Sequence, residues 1–106
     1  METINIQIRN GTIVCTPNDG HVRAPHQTQL AWESENKDEQ FTLAFFALLG
    51  GGRAWPFSEP EQGKFPTNRF TGTLKGVTGR GPGPSYKYTV SISGSKLLDP
   101  IIIVDK

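Results

Sequence analysis

The distribution of glycine and proline constrains this chain more than any other feature of its sequence. The 106 residues include twelve glycines and eight prolines, scattered from end to end. Both residue types interrupt a helix wherever they fall inside it. The longest stretch without either one is the 24 residues between Pro25 and Gly50, and every other such stretch has about ten residues or fewer. This spacing leaves room for at most one ordinary helix and predicts short strands elsewhere.

Apolar and polar residues alternate along several of these segments, as they do in strands that are buried on one face. Isoleucine occupies every second position of 4–8, and residues 86–92 repeat the pattern with tyrosine, valine and isoleucine. Turn sequences such as Asn10-Gly11 separate the segments. The predicted strands are 3–9, 12–16, 21–24, 28–34, 40–46, 69–77, 86–92 and 101–104. The side chains predicted to face the core are Ile4, Ile6, Ile8, Trp32, Phe41, Leu43, Phe45, Tyr88, Val90, Ile101 and Ile103.

Two of these segments have a less decisive pattern. Residues 40–46 fit a helix through Phe41 and Phe45, but Leu43 and Phe46 would then make the opposite face apolar as well. A strand is therefore preferred there. The run 101–104 is continuously β-branched, which is typical of a strand covered on both faces.

Seven or eight short strands separated by turn signals predict an all-β fold. We expect one antiparallel, Greek-key-type β-sandwich of about seven strands, forming a single domain over residues 1–106. The sequence contains no internal repeat and no linker that would divide it.

The charge of the chain is nearly balanced, with eleven basic and ten acidic residues and a formal net charge of +1. Such a balance creates no strong overall field that would recruit nucleic acid or a membrane. The two halves differ, however, because residues 1–52 carry −3 and residues 53–106 carry +4. The second half is therefore expected to present a mildly basic face.

The cysteine content and the N-terminus bear on location. Cys15 is the only cysteine in the sequence and has no partner for an internal disulfide, which favours a reducing compartment. The N-terminal residues lack the basic and then apolar regions of a signal peptide. The longest apolar run, 43–49, is far shorter than the roughly 20 residues needed to span a bilayer. We therefore expect a cytoplasmic protein without a membrane anchor.

Residues 47–68 form a long segment rich in turn residues and aromatic side chains. Loops of this length are unusual in small domains and are often where function is located. Their aromatic rings either cap the core or offer an anchor to a partner. The leading hypothesis is a non-enzymatic binding or protein-interaction module for a protein or small ligand, with 50–65 and the turn 94–100 as its surface. The candidate surface residues are Arg53, Trp55, Phe57, Glu59, Pro60, Asp99 and Pro100. Self-association through an exposed edge strand is a further expectation.

Two alternative functions use other residues. A small redox or hydrolytic enzyme would pair Cys15 with His21 or His26 as nucleophile and base. A weak binder of single-stranded nucleic acid would combine basic residues of the second half with Trp55 or Phe57 as stacking rings. The spacing of the cysteine and the two histidines matches no standard metal-ligand pattern, so neither a metal nor another cofactor is expected.

The order of segments along the chain resembles that of the cupredoxins. A segment with Trp32 precedes the strand 40–46, and the aromatic strand 86–90 leads to a turn and a final apolar strand, 101–104. The resemblance implies a cupredoxin-like or prealbumin-like sandwich. It also implies where copper ligands would lie, and those positions hold Glu39 and Gln40 near the histidine, Val90 near the cysteine, and Leu97 and Leu98 near the methionine. A blue-copper site needs thiolate and imidazole ligands, so the resemblance implies the scaffold without its metal.

Two dipeptides resemble the marks of a narrower family. Glu59-Pro60 lies in the long loop and Asp99-Pro100 precedes the last strand. In this arrangement they are similar to those of the DP-EP family, small bacterial proteins with a prealbumin-like or cupredoxin-like sandwich. The family brings a fold and no established activity, so the resemblance implies no catalytic residue.

Overall fold

The computed structural model describes residues 2–81, 83–92, 94–97 and 100–106, and over these residues the chain is all-β, as predicted. The strands are β1 Glu2–Arg9, β2 Thr12–Thr16, β3 Val22–Pro25, β4 Gln29–Ser34, β5 Thr42–Ala47, β6 Arg69–Thr73, β7 Ser85–Ile92, β8 Ser95–Leu97 and β9 Ile101–Asp105. Eight of them overlap the predicted strand segments. The ninth, β8, lies within 94–100, where the sequence predicts a turn, and this part of the prediction is wrong. No helix in the described part of the chain is long and apolar enough to cross a membrane.

The strands form two sheets. The four-stranded sheet has the order β2-β1-β4-β6, and the five-stranded sheet has the order β3-β9-β7-β5, with β8 also paired to β7. The pairs β1–β4 and β3–β9 are parallel, and the others are antiparallel. The predicted antiparallel arrangement is therefore only partly correct, because both sheets are mixed. The chain crosses to the other sheet as β3 before it returns as β4, and this return leaves β4 parallel to β1.

Two local predictions are confirmed. Asn10 and Gly11 both have positive φ, 51° and 76°, which is the backbone of a two-residue hairpin between β1 and β2. The ambiguous segment 40–46 lies largely in strand β5, which pairs with β7 so that Phe45 lies opposite Tyr88.

Side chains from both sheets meet in one core. Trp32 of β4 lies within it, and its ring centroid is 5.9, 5.8 and 5.6 Å from those of Phe45, Phe57 and Tyr88. Among the predicted core residues, Ile4, Ile6, Trp32, Phe41, Leu43, Phe45, Tyr88 and Val90 are buried. Ile8 is partly buried and packs against the same core.

The prediction for strand β9 is wrong. Ile102 and Val104 face the core, whereas Ile103 is 37% exposed and Ile101 is half-buried on the outward side. A run of four β-branched residues has no alternation, and a shift of one residue exchanges the two faces of a strand. The sequence therefore does not specify which pair faces the core.

Candidate functional site

The long loop 48–68 lies between strands β5 and β6, which belong to different sheets. The amide of Ala54 donates a hydrogen bond to the carbonyl of Phe45 in β5 at 3.1 Å. Further along, the amide of Ser58 donates to the carbonyl of Thr73 in β6 at 2.8 Å. The loop therefore satisfies backbone groups at an edge of each sheet, which is a structural role.

The aromatic residues of this loop belong to the core. Phe57 is 1% exposed. Trp55 is half-buried, with its ring centroid 5.5 Å from that of Phe45 and 5.6 Å from that of Phe70. Its indole N–H donates to the carbonyl of Glu59 at 2.5 Å. These contacts are those of rings that cap the core.

The polar residues of the loop are held by their neighbours. The Glu59 carboxylate accepts hydrogen bonds from the amide and the hydroxyl of Thr73, at 2.7 and 2.8 Å, and chiefly the amide bond lowers the pKa of Glu59. The guanidinium of Arg53 pairs with Glu61 at 2.6 Å. Pro60 is exposed. The charged groups of Arg53 and Glu59 are therefore engaged by other residues of the fold.

The second part of the predicted surface is described only in part. Asp99 lies outside the described residues, so its role stays a prediction. Pro100 is buried, and its carbonyl accepts a hydrogen bond from the amide of Tyr88 at 3.0 Å. Pro100 therefore anchors the start of β9 to β7.

The residues of the alternative catalytic site have other partners. Cys15 is 1% exposed, and burial, with a smaller effect from the charge of Asp19, raises the pKa of its thiol to about 11. The Nδ1 atoms of His21 and His26 each accept a hydrogen bond from a backbone amide, at 2.9 and 3.0 Å. A buried, protonated thiol is a poor nucleophile. Within the described ranges, no three His, Cys, Asp or Glu side chains converge on a position for a metal ion.

The outer faces of the two sheets differ in how many large apolar side chains they hold. On the four-stranded sheet the outward side chains are mainly hydroxyl, amide or charged groups. They are Thr3, Asn5, Gln7, Arg9, Thr12, Thr16, Gln29, Glu33, Arg69, Thr71 and Thr73, with Val14 and Ala31 as apolar exceptions. On the five-stranded sheet the outward side chains also include many polar groups, namely Arg23, Thr42, Ser85, Lys87, Thr89, Ser91 and Asp105. Phe46, Leu48, Leu49, Ile101 and Ile103 are grouped on or beside this sheet where β5 ends and β7 begins, and we call this part of the surface the apolar face. Leu49 is 90% exposed and Leu48 is 40% exposed.

The strand register fixes one row of the apolar face. Ile103 of β9 lies opposite Ser85 of β7 on one side and opposite Arg23 of β3 on the other. Leu48 continues this row, because its amide donates to the carbonyl of Ser85 at 3.0 Å. The row therefore begins with a cation and ends with an apolar side chain.

The neighbouring row has the same mixed character. Lys87 of β7 lies between Ile101 of β9 and Phe46 of β5. The guanidinium carbon of Arg53 lies 5.9 Å from the centroid of the Phe46 ring. His21 extends the row at the other end, where its Nδ1 accepts the amide of Ile101. Each row thus places a cation next to an apolar side chain, Arg23 beside Ile103 in the first and Lys87 between Ile101 and Phe46 in the second.

Two open clefts flank this face. The first, of about 340 Å³, which we call the β3 cleft, is lined by Asn18, His21, Val22, Arg23, Ile101 and Ile103. The second, of about 520 Å³, which we call the leucine cleft, is lined by Ala47, Leu48, Leu49, Gly83, Pro84 and Ser85. Concave, largely apolar surfaces with a few polar groups are the kind that receive a ligand or a partner side chain.

The sequence prediction did not include the apolar face. One signal for it is present, because Leu48 and Leu49 come directly before three glycines, where the chain leaves the sheet. The outward position of Ile103 has no comparable signal, for the reason given for β9. The chain matches no family model, and no curated protein matches it in sequence.

Proposed function

We propose that this chain is a non-enzymatic protein-interaction module that binds its partner on the apolar face. The observation that carries the proposal is the difference between the two outer sheet faces. The exposed large apolar side chains of the described residues are Leu48, Leu49 and Ile103, and all three lie on or beside the five-stranded sheet. Exposed apolar side chains grouped beside polar residues mark interaction sites. Because Phe57 is buried, the sheet face is better suited to a partner than the long loop.

The scaffold proposed for this module is a Greek-key sandwich of the cupredoxin-like or prealbumin-like type, as in the DP-EP family. Two mixed sheets that share one core, with β1 and β4 parallel, support it. The positions that correspond to copper ligands hold Glu39, Gln40 and Val90, none of which supplies the thiolate or imidazole of a blue-copper site. The role proposed for the module is therefore binding and not electron transfer.

Photo-crosslinking tests the proposed function. A photoreactive amino acid is placed at Ile103 and, in a matched control, at Thr71 on the outward side of the four-stranded sheet. In cells that naturally produce the chain, we expect a defined protein to be crosslinked from position 103 and not from position 71. The purified partner should then bind the wild type and lose about tenfold in affinity with Ile103→Asp, as for an apolar anchor in an interface.

A second variant guards against misfolding. Leu49→Ser alters a side chain that is 90% exposed, so it should leave the fold intact and still weaken binding of the partner. Equal crosslinking from positions 103 and 71, or none from position 103, would contradict the proposed function. So would a purified partner that binds the wild type and both variants equally.

A further inference from the structure

We infer that the partner segment recognised by the apolar face is acidic and apolar, with carboxylates spaced between large apolar side chains. The inference rests on the proposed function and names the chemistry of its partner. It is carried by the charges that the strand register places among the apolar side chains, and by the hydrogen-bond donors at the β3 cleft.

Three cations and two carboxylates lie on and beside this face. Arg23 and Lys87 lie on it, and Arg53 lies against the ring of Phe46 at its border, where it is paired with Glu61 at 2.6 Å. The carboxylate of Asp105 is engaged by Arg23 through two guanidinium nitrogens, at 3.0 to 3.2 Å. Among the ion pairs of the described residues, none gives Lys87 a carboxylate. An incoming carboxylate therefore complements the face at Lys87.

The β3 cleft adds a second position for a carboxylate. The Nδ1 atom of His21 accepts a hydrogen bond from the amide of Ile101, so Nε2 is the ring nitrogen that can donate. Arg23 uses Nε and Nη2 to bind Asp105, which leaves Nη1 for another acceptor. These donors border a floor that includes Val22 and Ile103. A partner segment with a carboxylate next to an apolar side chain would complement this cleft, because the carboxylate would accept from these donors and the apolar side chain would contact Val22 and Ile103.

The spacing of the two cations suits an extended segment. Arg23 and Lys87 are two strands apart and belong to neighbouring rows of side chains on one face. With strands about 4.8 Å apart and side chains on one face repeating about every 6.7 Å, the two positions are separated by about 12 Å. Two residues four positions apart in an extended chain are separated by about 13 Å. An apolar residue midway between two such carboxylates would lie over the side chains between the cations.

The same charges argue against the two other occupants of an apolar face. A second copy packed face to face would bring one cationic face onto another, which is unfavourable. Pairing through the sheet edges at β3, β5 and β6 is also restricted, because the loop is hydrogen-bonded to β5 and β6, and β3 ends at Pro25, which has no amide proton. A membrane surface would meet Leu49, but a flat bilayer does not fill two separate clefts.

Peptide titration of the full-length protein tests the inference. The probe is a short peptide in which two aspartates, four residues apart, flank a leucine within an otherwise polar sequence. Matched peptides carry asparagine or lysine in place of both aspartates. Followed by backbone amide NMR, the aspartate peptide should bind about tenfold more tightly than the asparagine peptide, and the lysine peptide should bind least. The affinity of the aspartate peptide should fall as the salt concentration rises, since exposed charge pairs are screened.

Matched variants locate the binding. Lys87→Gln and Arg23→Gln should each lower the affinity for the aspartate peptide by about threefold, which is the effect expected from the loss of one exposed charge pair. Arg69→Gln is the control, because Arg69 is also an exposed arginine paired with a carboxylate, Glu33, but lies on the other sheet. It should leave the affinity unchanged. Amide shifts should be confined to β3, β7, β9 and the segment 46–49.

The outcomes separate this inference from the proposed function. If crosslinking from position 103 finds a partner but the asparagine peptide binds as well as the aspartate peptide, the inference fails and the interaction module stands. If the aspartate peptide shifts only amide resonances of the four-stranded sheet, both the inference and the proposed function fail. Stronger binding to vesicles of anionic phospholipid than to the peptide, or dimerisation that Ile103→Asp abolishes, would also overturn the inference.

Discussion

Glu59 and Thr73 are joined by two hydrogen bonds, since one carboxylate oxygen accepts the Thr73 amide at 2.7 Å and the other accepts the Thr73 hydroxyl at 2.8 Å. They are fourteen positions apart in the chain. The contact ties the long loop to the edge of β6 and occupies an amide that would otherwise be open on this edge. It is one of several contacts that hold this loop, together with the buried ring of Phe57 and the backbone hydrogen bonds of Ala54 and Ser58.

Replacing Glu59 should destabilise the protein more than replacing its neighbour Glu61. Glu59→Ala removes both acceptors and should lower the free energy of unfolding by about 1–3 kcal/mol, the range for hydrogen bonds to charged groups. Glu61→Ala removes an exposed ion pair with Arg53 and should cost about 1 kcal/mol or less. Urea unfolding of the two variants measures the difference. Equal losses would show that the Glu59–Thr73 contact contributes nothing particular.

The same contact predicts that the stability of the fold depends on pH in the acid range. The hydrogen bond from the Thr73 amide is the main reason why the pKa of Glu59 lies below its ordinary value of 4.5. A carboxyl group with a lowered folded-state pKa contributes stability that is present above 4.5 and is lost as the pH falls through the folded-state pKa. The difference in unfolding free energy between wild type and Glu59→Gln should therefore shrink below pH 4.5. A difference that stays constant down to pH 2 would contradict this.

Features that depend on neighbouring residues in the sequence could be predicted. The hairpin at Asn10-Gly11 follows from the preference of these residues for positive φ. The inward positions of Ile4 and Ile6 follow from strict alternation. The strand at β5 follows because a helix there would be apolar on both sides.

Features that depend on residues distant in the sequence could not be predicted. No property of Trp55 or Phe57 indicates whether a ring in a loop points inward, because that depends on the space left between β5 and β6. The parallel pairing of β1 with β4 depends on where the chain changes sheets. The apolar face has the same origin, since Lys87 and Ile101 become neighbours only through the register of β7 and β9.

The buried hydroxyl of Tyr88 should be important for stability. It donates to the carbonyl of Gly20 and accepts the indole N–H of Trp32 at 3.3 Å. Tyr88→Phe leaves both buried groups unsatisfied and should cost about 1–3 kcal/mol in unfolding free energy. Tyr86→Phe is the control, because the described residues give its half-buried hydroxyl no hydrogen bond, and it should change stability by about 0.5 kcal/mol or less. The result would contradict the prediction if both variants were equally stable.

Cys15 should react slowly at neutral pH and destabilise the fold at high pH. Burial raises the pKa of its thiol from 9.0 to about 11. Between these values the unfolded chain ionises and the folded chain does not, so stability is fully present below pH 9 and is lost as the pH rises toward 11. A thiol-specific chromogenic reagent should react at neutral pH much faster in urea than in buffer. Cys15→Ala should lose less stability than the wild type between pH 9 and 11, and an equal loss in both would exclude the thiol as its source.

Gly20 and Gly50 provide a matched test of packing around Tyr88. Their φ angles are nearly the same, +85° and +86°, so alanine at either position costs roughly the 1–2 kcal/mol of a left-handed backbone. A Cβ atom at Gly20 would also lie 2.7 Å from the Tyr88 hydroxyl and 3.1 Å from the Cβ of Cys15, whereas a Cβ at Gly50 meets nothing within 4 Å. Gly20→Ala should therefore cost about 1–3 kcal/mol more than Gly50→Ala, the usual range for overpacking a core. Thermal and urea unfolding of the two variants measure this difference, and similar losses would mean that the Tyr88 hydroxyl can move away without cost.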